Sequence, residues 1–319
     1  VVKVDAVLLT ALAVGFYMAW NIGANDSAKA VGTAVGSNIL SFKQAIFLIA
    51  LFTLLGAFLG GNNVARTVGQ GIIPTINAKH VILILLSAGV SITIATLRGL
   101  PTSTTQSILG AILGVGIYQK TAINWLIVEK IVLAWILSPL VAALFSIALL
   151  EMYGKIINKL SSMRTIEILY RWMAVLSATY ASFNLGANEL SNVIGLLAYT
   201  LPIKISILKL IAAFGLSVGA LTFSYEVIMT VGKKLILMDP LTAFASQFGS
   251  SIAVSLANAF GLPVSSGQAI IGGVIGVGIA KGQKINKKLV VDIVKSWILA
   301  PLFSFTLTIV LLTILGTAI

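Results

Sequence analysis

Asn21, Gly23, Asn25 and Asp26 stand in the run NIGANDSAKAVG (21–32), and the chain writes that run twice. In NLGANELSNVIG (184–195) the matching residues are Asn184, Gly186, Asn188 and Glu189, all at an offset of 163. Amide oxygens, carboxylates and main-chain carbonyls freed where a glycine breaks a helix are hard donors, which suit Na⁺ or another small hard cation. The plainer alternative is that the asparagines only hydrogen-bond neighbouring helices. A carboxylate at the centre of an apolar segment is unfavourable by roughly 3 kcal/mol on insertion scales. An Asn-acid pair kept in both copies therefore argues for a cation site.

A second motif is also duplicated. GLPTSTTQSILGAILGVGI (99–117) answers to GLPVSSGQAIIGGVIGVGI (261–279) at an offset of 162. Ser103, Thr104, Thr105 and Gln106, with Ser265, Ser266, Gly267 and Gln268, place hydroxyls and unsatisfied N–H groups at the start of a helix. Such a terminus carries about half a positive charge and draws phosphate-like anions. Ser and Thr are also preferred N-caps with no ligand at all. Two such tips meeting from opposite sides would wrap a tetrahedral oxyanion, and the duplication favours that reading.

Thr67–Gly69 recurs at Thr230–Gly232, and the Trp-Ile-Leu-x-Pro ending at Pro139 recurs ending at Pro301. Four landmarks in one order divide the chain into two homologous halves, 1–150 and 167–319, joined by the polar connector 151–166. Composition places both in lipid: 58% of residues are hydrophobic and 9% charged, with a mean hydropathy of +1.06. An all-α integral membrane protein follows, in a cell membrane. The net charge of +12 then reflects cytoplasmic loops rather than nucleic acid. With no Cys and a single His, thiolate chemistry and a metal cluster are excluded, no cofactor is expected, and no nucleophile–base spacing supports an enzyme.

Apolar runs long enough to span, about 20 residues, set the elements. The first half reads Val4–Trp20, a break, and a short helix Ser27–Gly36; then Gln44–Ala65, His80–Leu97, Ser103–Ile117 and Trp125–Leu150. The second reads Glu167–Phe183 with Leu190–Leu201, then Ile207–Val231, Pro240–Phe260, Ser265–Ala280 and Leu289–Leu315. Val4–Trp20 runs into the repeated motif without a small-residue cleavage site, so it is expected to remain as a span. The Gly-Leu-Pro before each short segment stops a helix at Leu100 or Leu262. Residues 80–117 and 240–280 are therefore expected to be re-entrant hairpins with the Ser/Thr stretch at the tip.

Loop charge orients the halves. Lys281, Lys284, Lys287 and Lys288 follow the second hairpin and Lys233 and Lys234 precede it, whereas the first has only Lys120 after it and Arg66 and Lys79 before it. The connector adds Lys155, Lys159 and Arg164, with Arg171 beyond. By the positive-inside rule the second hairpin and the connector face the cytoplasm. Three crossings per half then put both termini outside and turn the second copy upside down, an inverted-topology repeat with broken helices, as in many secondary transporters.

GANDSAKAVG, GANELSNVIG, GLPTSTTQ and GLPVSSGQ resemble the twin signatures of the inorganic phosphate transporter family, sodium- or proton-coupled phosphate symporters. The resemblance covers both halves outside the connector. The family pattern is closer to GANDVANA and P-x-S-x-T-H; here Lys29 stands in the last Asn position, Glu189 replaces the second Asp, and Gln106 and Gln268 sit where His is common. Loss of both histidines removes the obvious proton carriers and tilts coupling toward Na⁺. The resemblance implies inorganic phosphate as substrate, held by the two tips with Gln106 and Gln268 bridging. Na⁺ would lie at Asn25, Asp26, Asn188 and Glu189, helped by Asn21, Asn184 and carbonyls near Gly23 and Gly186. The expectation is a Na⁺-coupled phosphate symporter in the bilayer, with a homodimer compatible. An H⁺-coupled phosphate or sulfate permease and a passive anion channel are the alternatives. Arg98 is expected either to meet the substrate or to pair with Asp26 or Glu189; Lys29 is expected to neutralise an acid, and Glu226 to pair with another helix.

Overall fold

The computed structural model describes residues 6–36, 39–99, 102–234, 239–283 and 287–315, which form helices and no strand. The first half supplies α1 (Ala6–Gly36), α2 (Phe42–Leu59), α3 (Asn62–Arg66) with a π-helical turn Thr67–Gly71, α4 (Ala78–Leu97), α5 (Thr104–Tyr118) and α6 (Trp125–Ile157). The second supplies α7 (Met163–Asn184), a π-helical turn Leu185–Leu190, α8 (Ser191–Ala198), α9 (Ile205–Phe223), α10 (Tyr225–Lys234), α11 (Pro240–Ala259), α12 (Ser266–Ala280) and α13 (Lys287–Leu315). Among the described residues α1, α2, α4, α6, α9 and α13 contain stretches long and apolar enough to cross a membrane. Outward residues such as Leu133, Ile136 and Leu140 on α6 and Ile298, Leu299 and Leu302 on α13 are apolar and exposed, as a surface without water to meet requires.

The helices begin and end on local signals. Ser41 opens α2 with a reciprocal capping box to Gln44, and the side chains of Asn77 and Asp239 accept the third-residue amides of α4 and α11. Both α4 and α11 stop earlier than Leu100 and Leu262. Gly99 (φ 63°) and Gly261 (φ 69°) adopt the left-handed conformation one residue past the cap, where a glycine ends a helix without Cβ strain. Leu100, Pro101 and Lys284 lie outside the described residues.

The expected break in the first motif is absent. α1 runs unbroken through Asn21–Asp26, and the second copy is a continuous helical run loosened only by its π turn. The glycines serve close packing instead. A Cβ on Gly23 would lie 1.9 Å from the Leu216 carbonyl oxygen, and one on Gly186 1.9 Å from that of Thr53. Thr53 is the first-half counterpart of Leu216, so each motif helix crosses the other half's second helix at the same place. α5 likewise packs on α13 and α12 on α6, with Gly110 at the Pro301 carbonyl and Gly272 at that of Pro139.

Three further expectations are corrected. The connector is largely helical, because α6 continues to Ile157 and α7 begins at Met163; Leu150 and Ile157 pack with Met173, Leu241 and Phe244, which holds the extension. Ile207–Val231 is divided at Ser224 into α9 and α10. Gln44–Ala65 is divided at Gly60–Gly61, where Gly61 sits against the Ser191 hydroxyl.

Candidate cation and anion site

α1, the π turn before α8 and the starts of α5 and α12 converge on one enclosed polar cluster. Asp26 is 0% exposed, Glu189 1% and Lys29 3%. Two carboxylates and one ammonium sit where water does not reach, an arrangement maintained only by close pairing.

Each motif asparagine holds the tip of its own half. Asn25 Oδ1 accepts the Thr102 amide at 3.0 Å and Asn188 Oδ1 the Val264 amide at 3.2 Å, and Thr102 and Val264 are counterparts. Asn25 Nδ2 donates to Thr96 Oγ1 at 3.0 Å; Asn188 Nδ2 donates to the Val264 carbonyl at 2.6 Å and to Glu189 Oε1 at 3.1 Å. The acids follow the same rule. Thr104 Oγ1 donates to Asp26 Oδ2, and its counterpart Ser266 Oγ to Glu189 Oε1 at 2.7 Å.

Beyond the different partners of the two Nδ2 groups, two features break the symmetry. Thr105 of the first tip donates to Glu189 Oε2 at 2.8 Å, a bond between halves, with the Val264 carbonyl as a second acceptor at 3.1 Å. Lys29 donates to Asp26 Oδ1 and to the Thr102 carbonyl, whereas its counterpart Asn192 donates to Thr105 Oγ1 at 3.2 Å. The Lys29 main-chain carbonyl accepts from Gln247 Nε2 at 2.8 Å.

The remaining expected residues divide. Asn21 and Asn184 are buried one turn away, tying the motif helices to α4 and α11: Asn21 Oδ1 accepts from Thr93 at 2.7 Å and Asn184 Oδ1 from Ser255 at 2.9 Å. Gly23 and Gly186 face helix crossings, and the Gly186 carbonyl accepts from Ser191 Oγ at 3.0 Å. Ser103 and Ser265 are N-caps, accepting the amides of Gln106 and Gln268 at 3.3 Å. Gly267 lies against the end of the Lys29 side chain. Among the described residues Gln106 and Gln268 bond neither acid, and both line an open groove with Trp135, Ile136, Trp297 and Ile298. Arg98 is exposed in an open groove with Glu226 and Tyr225, so it does not enter the enclosed cluster.

A further set of residues escaped the sequence reading. Gln247, Ser250 and Ser251 on α11 line a narrow cleft with Lys29, Asn184 and Ser266. Their signal is a polar stripe at i, i+3 and i+4, continued by Ser255 and Asn258, on a segment otherwise read as apolar.

A family model described as the phosphate transporter family matches residues 22–308. The chain belongs to the phosphate transporter family. A provisionally named phosphate permease of Pyrococcus furiosus is 30% identical over 92% of each chain. The inorganic phosphate transporter 2-1 of Arabidopsis thaliana chloroplasts is 29% identical, over 93% of this chain and 70% of that one. A solved structure described as the sodium-dependent phosphate transporter superposes with a TM-score of 0.90 at 24% identity, covering 99% of this chain and 100% of the other; at that identity the likeness establishes the fold. With its spanning-length helices, this family member is a multi-pass membrane protein.

Proposed function

We propose that this phosphate transporter family member is a Na⁺-coupled symporter of inorganic phosphate that works by alternating access. The observation that carries the proposal is Glu189, a buried carboxylate that takes one hydroxyl from each tip, Thr105 and Ser266. A cation bound at its oxygens would compete with both hydroxyls and turn them toward an anion between the tips. Phosphate without that cation would face two carboxylates at short range in a medium of low dielectric. Each ligand then favours the other, which is the reciprocal coupling that symport needs.

The tip residues Thr104, Thr105 and Ser266 would supply hydroxyls to phosphate, and the Gly267 amide a main-chain donor. Asn25 and Asn188 would hold the tips in place, and Asp26 and Glu189 would carry the charge that cations balance. Inverted halves, with both hairpins re-entrant and both termini outside, would supply two mirror-related states around one central site. The exchanged packing of Gly23 on Leu216 and Gly186 on Thr53 supports such a two-fold relation. The dependence on sodium named for the solved structural neighbour supports Na⁺ as the coupling ion.

The test is radiolabelled phosphate uptake into proteoliposomes under an inward Na⁺ gradient or an equal K⁺ gradient. Accumulation with Na⁺ alone is expected. Uptake driven instead by an inside-alkaline pH gradient would give Glu189 a proton-carrying role, and equilibration without concentration would make the protein a channel. Stronger competition by sulfate than by unlabelled phosphate would change the substrate.

A further inference from the structure

We infer that the Lys29 ammonium is a built-in substitute for one of two symmetry-related coupling cations, leaving the Glu189 side as the one cation site that must be filled from solution. The inference rests on the Na⁺-coupled reading above and goes beyond it by setting the ion count.

The two halves offer matched surroundings for a cation. In the first, the ligands are Asp26 Oδ1 and the Thr102 carbonyl, and Lys29 Nζ sits between them, donating to both. A carboxylate and a main-chain carbonyl are also what a Na⁺ ion would use, as hard oxygen donors. In the second half the corresponding groups are Glu189 and the Val264 carbonyl, which accepts from Asn188 Nδ2 and Thr105 Oγ1 and would exchange those bonds for the ion. No ion pair reaches Glu189 among the described residues, since the residue in the place of Lys29 is Asn192. An amide brings an oxygen donor where lysine brings a charge. Asn192 Oδ1 is that oxygen: it is buried, with no hydrogen-bond partner among the described residues. The same amide's Nδ2 reaches Glu189 through Thr105 Oγ1, and the residue lines a small, mainly aliphatic void with Thr105, Pro263, Ile108 and Ile112.

Charge counting agrees. With both carboxyls ionised, Asp26 and Glu189 bring two negative charges to the enclosed cluster and Lys29 returns one positive, so a single monovalent cation neutralises the remainder. The lysine cannot leave, because it is tethered three residues from its acid on one helix. The first-half site therefore contributes attraction for phosphate at every stage of the cycle but takes no energy from the Na⁺ gradient. Its side chain ends against Gly267, in the first turn of α12, so that attraction lies where the two tips meet.

The test counts ions. Wild-type and Lys29→Asn proteins are reconstituted, and uptake of radiolabelled Na⁺ and radiolabelled phosphate is measured together. The expected ratio is about one Na⁺ per phosphate for the wild type and about two for Lys29→Asn, with the phosphate uptake of the variant correspondingly steeper in Na⁺ concentration. A wild-type ratio of two or more overturns the inference and leaves Na⁺ symport standing, as does an unchanged ratio in folded Lys29→Asn. If Lys29→Asn does not fold, the exchange Lys29→Asn with Asn192→Lys keeps the net charge and should retain a ratio near one, and the wild-type ratio remains decisive. Wild-type phosphate uptake with no Na⁺ uptake removes the Na⁺-coupled reading itself. In that event a Lys29→Asn protein that gains Na⁺ uptake still supports the substitution, and one that gains none overturns it.

Discussion

Thr105 Oγ1 and Glu189 Oε2 lie 2.8 Å apart across the boundary between the two halves. Thr105 is the second residue of α5 and Glu189 the fifth of the π turn before α8. The first tip thus reports directly on the charge state of the second motif. Asn192 also reaches Thr105 across that boundary, at 3.2 Å, whereas the other bonds named above that Asn25, Asp26, Asn188 and Glu189 make to a tip stay within their own half.

Thr105→Val keeps the shape of the side chain and deletes its proton. A hydrogen bond to a charged partner is worth about 1.5–3 kcal/mol. If the hydroxyl is released to phosphate during the cycle, the KM for phosphate in Na⁺-driven uptake should rise by about tenfold or more. Thr105→Ser, which restores the donor, should stay within about threefold of wild type. An unchanged KM in a folded Thr105→Val protein would remove the tip hydroxyl from the substrate's partners.

The two acids should respond differently to neutralisation. Asp26→Asn leaves the Lys29 ammonium buried and unpaired, a loss of about 3–5 kcal/mol, and Lys29→Met leaves the acid in the same position. The pair Asp26→Asn with Lys29→Met should recover most of that loss. Glu189→Gln strands no partner cation and keeps an oxygen acceptor for Ser266 or Thr105, so it should fold well and lose Na⁺ dependence. Thermal unfolding in detergent of these four proteins checks the pattern, and equal destabilisation by Asp26→Asn and Glu189→Gln would contradict it.

Much of the site was legible because the chain repeats it. The Asn-acid motif and the Ser/Thr tips stand out by duplication, and the structure brings Asn25, Asp26, Asn188, Glu189, Thr104, Thr105 and Ser266 into one network. The expectation that Lys29 neutralises an acid also holds, and Asp26 is that acid. What sequence could not separate were two uses of glycine. Gly23 reads equally as a break or as a close crossing, and the deciding atoms belong to Leu216, far along the chain. The direction of Gln106 and Gln268 is set by how α5 and α12 rotate against α13 and α6, which local spacing does not encode. The α11 stripe was masked by small serines, whose hydroxyls can bond back to their own helix, as Ser250 and Ser251 do to Gln247.

Gly23→Ala and Gly186→Ala test the crossings. Alanine in a helix interior normally gains about 1 kcal/mol over glycine. Here each new Cβ would press on main-chain atoms of another helix, at Leu216 and Thr53, so both variants should lose folded protein on size-exclusion chromatography. Gly154→Ala, whose nearest neighbour would be Leu241 Cδ2 at 3.8 Å, should be tolerated or stabilising. Normal yield of Gly23→Ala would mean the helices separate easily, against the packing described.

The start of α11 and the end of α12 should be joined by an acid-sensitive latch. Asp239 caps α11 through the Thr242 amide at 3.0 Å and hydroxyl at 2.7 Å, and it accepts from Lys281 at the end of α12. Partial burial alone would raise its pKa; the bonds from Lys281 and Thr242 outweigh that and hold it below the ordinary 3.8. A folded pKa below the unfolded one means the stabilisation is present above 3.8 and is lost as pH falls through the lower, folded value. Exposure of both partners keeps the effect modest. Hydrogen exchange at the start of α11 should therefore accelerate in wild type between pH 4 and about pH 2, after correction for intrinsic rates. Asp239→Asn retains a cap of the kind Asn77 gives α4 but has no proton to gain, so its corrected exchange should be flat over that range. The same acid dependence in both proteins would assign the loosening to another carboxylate.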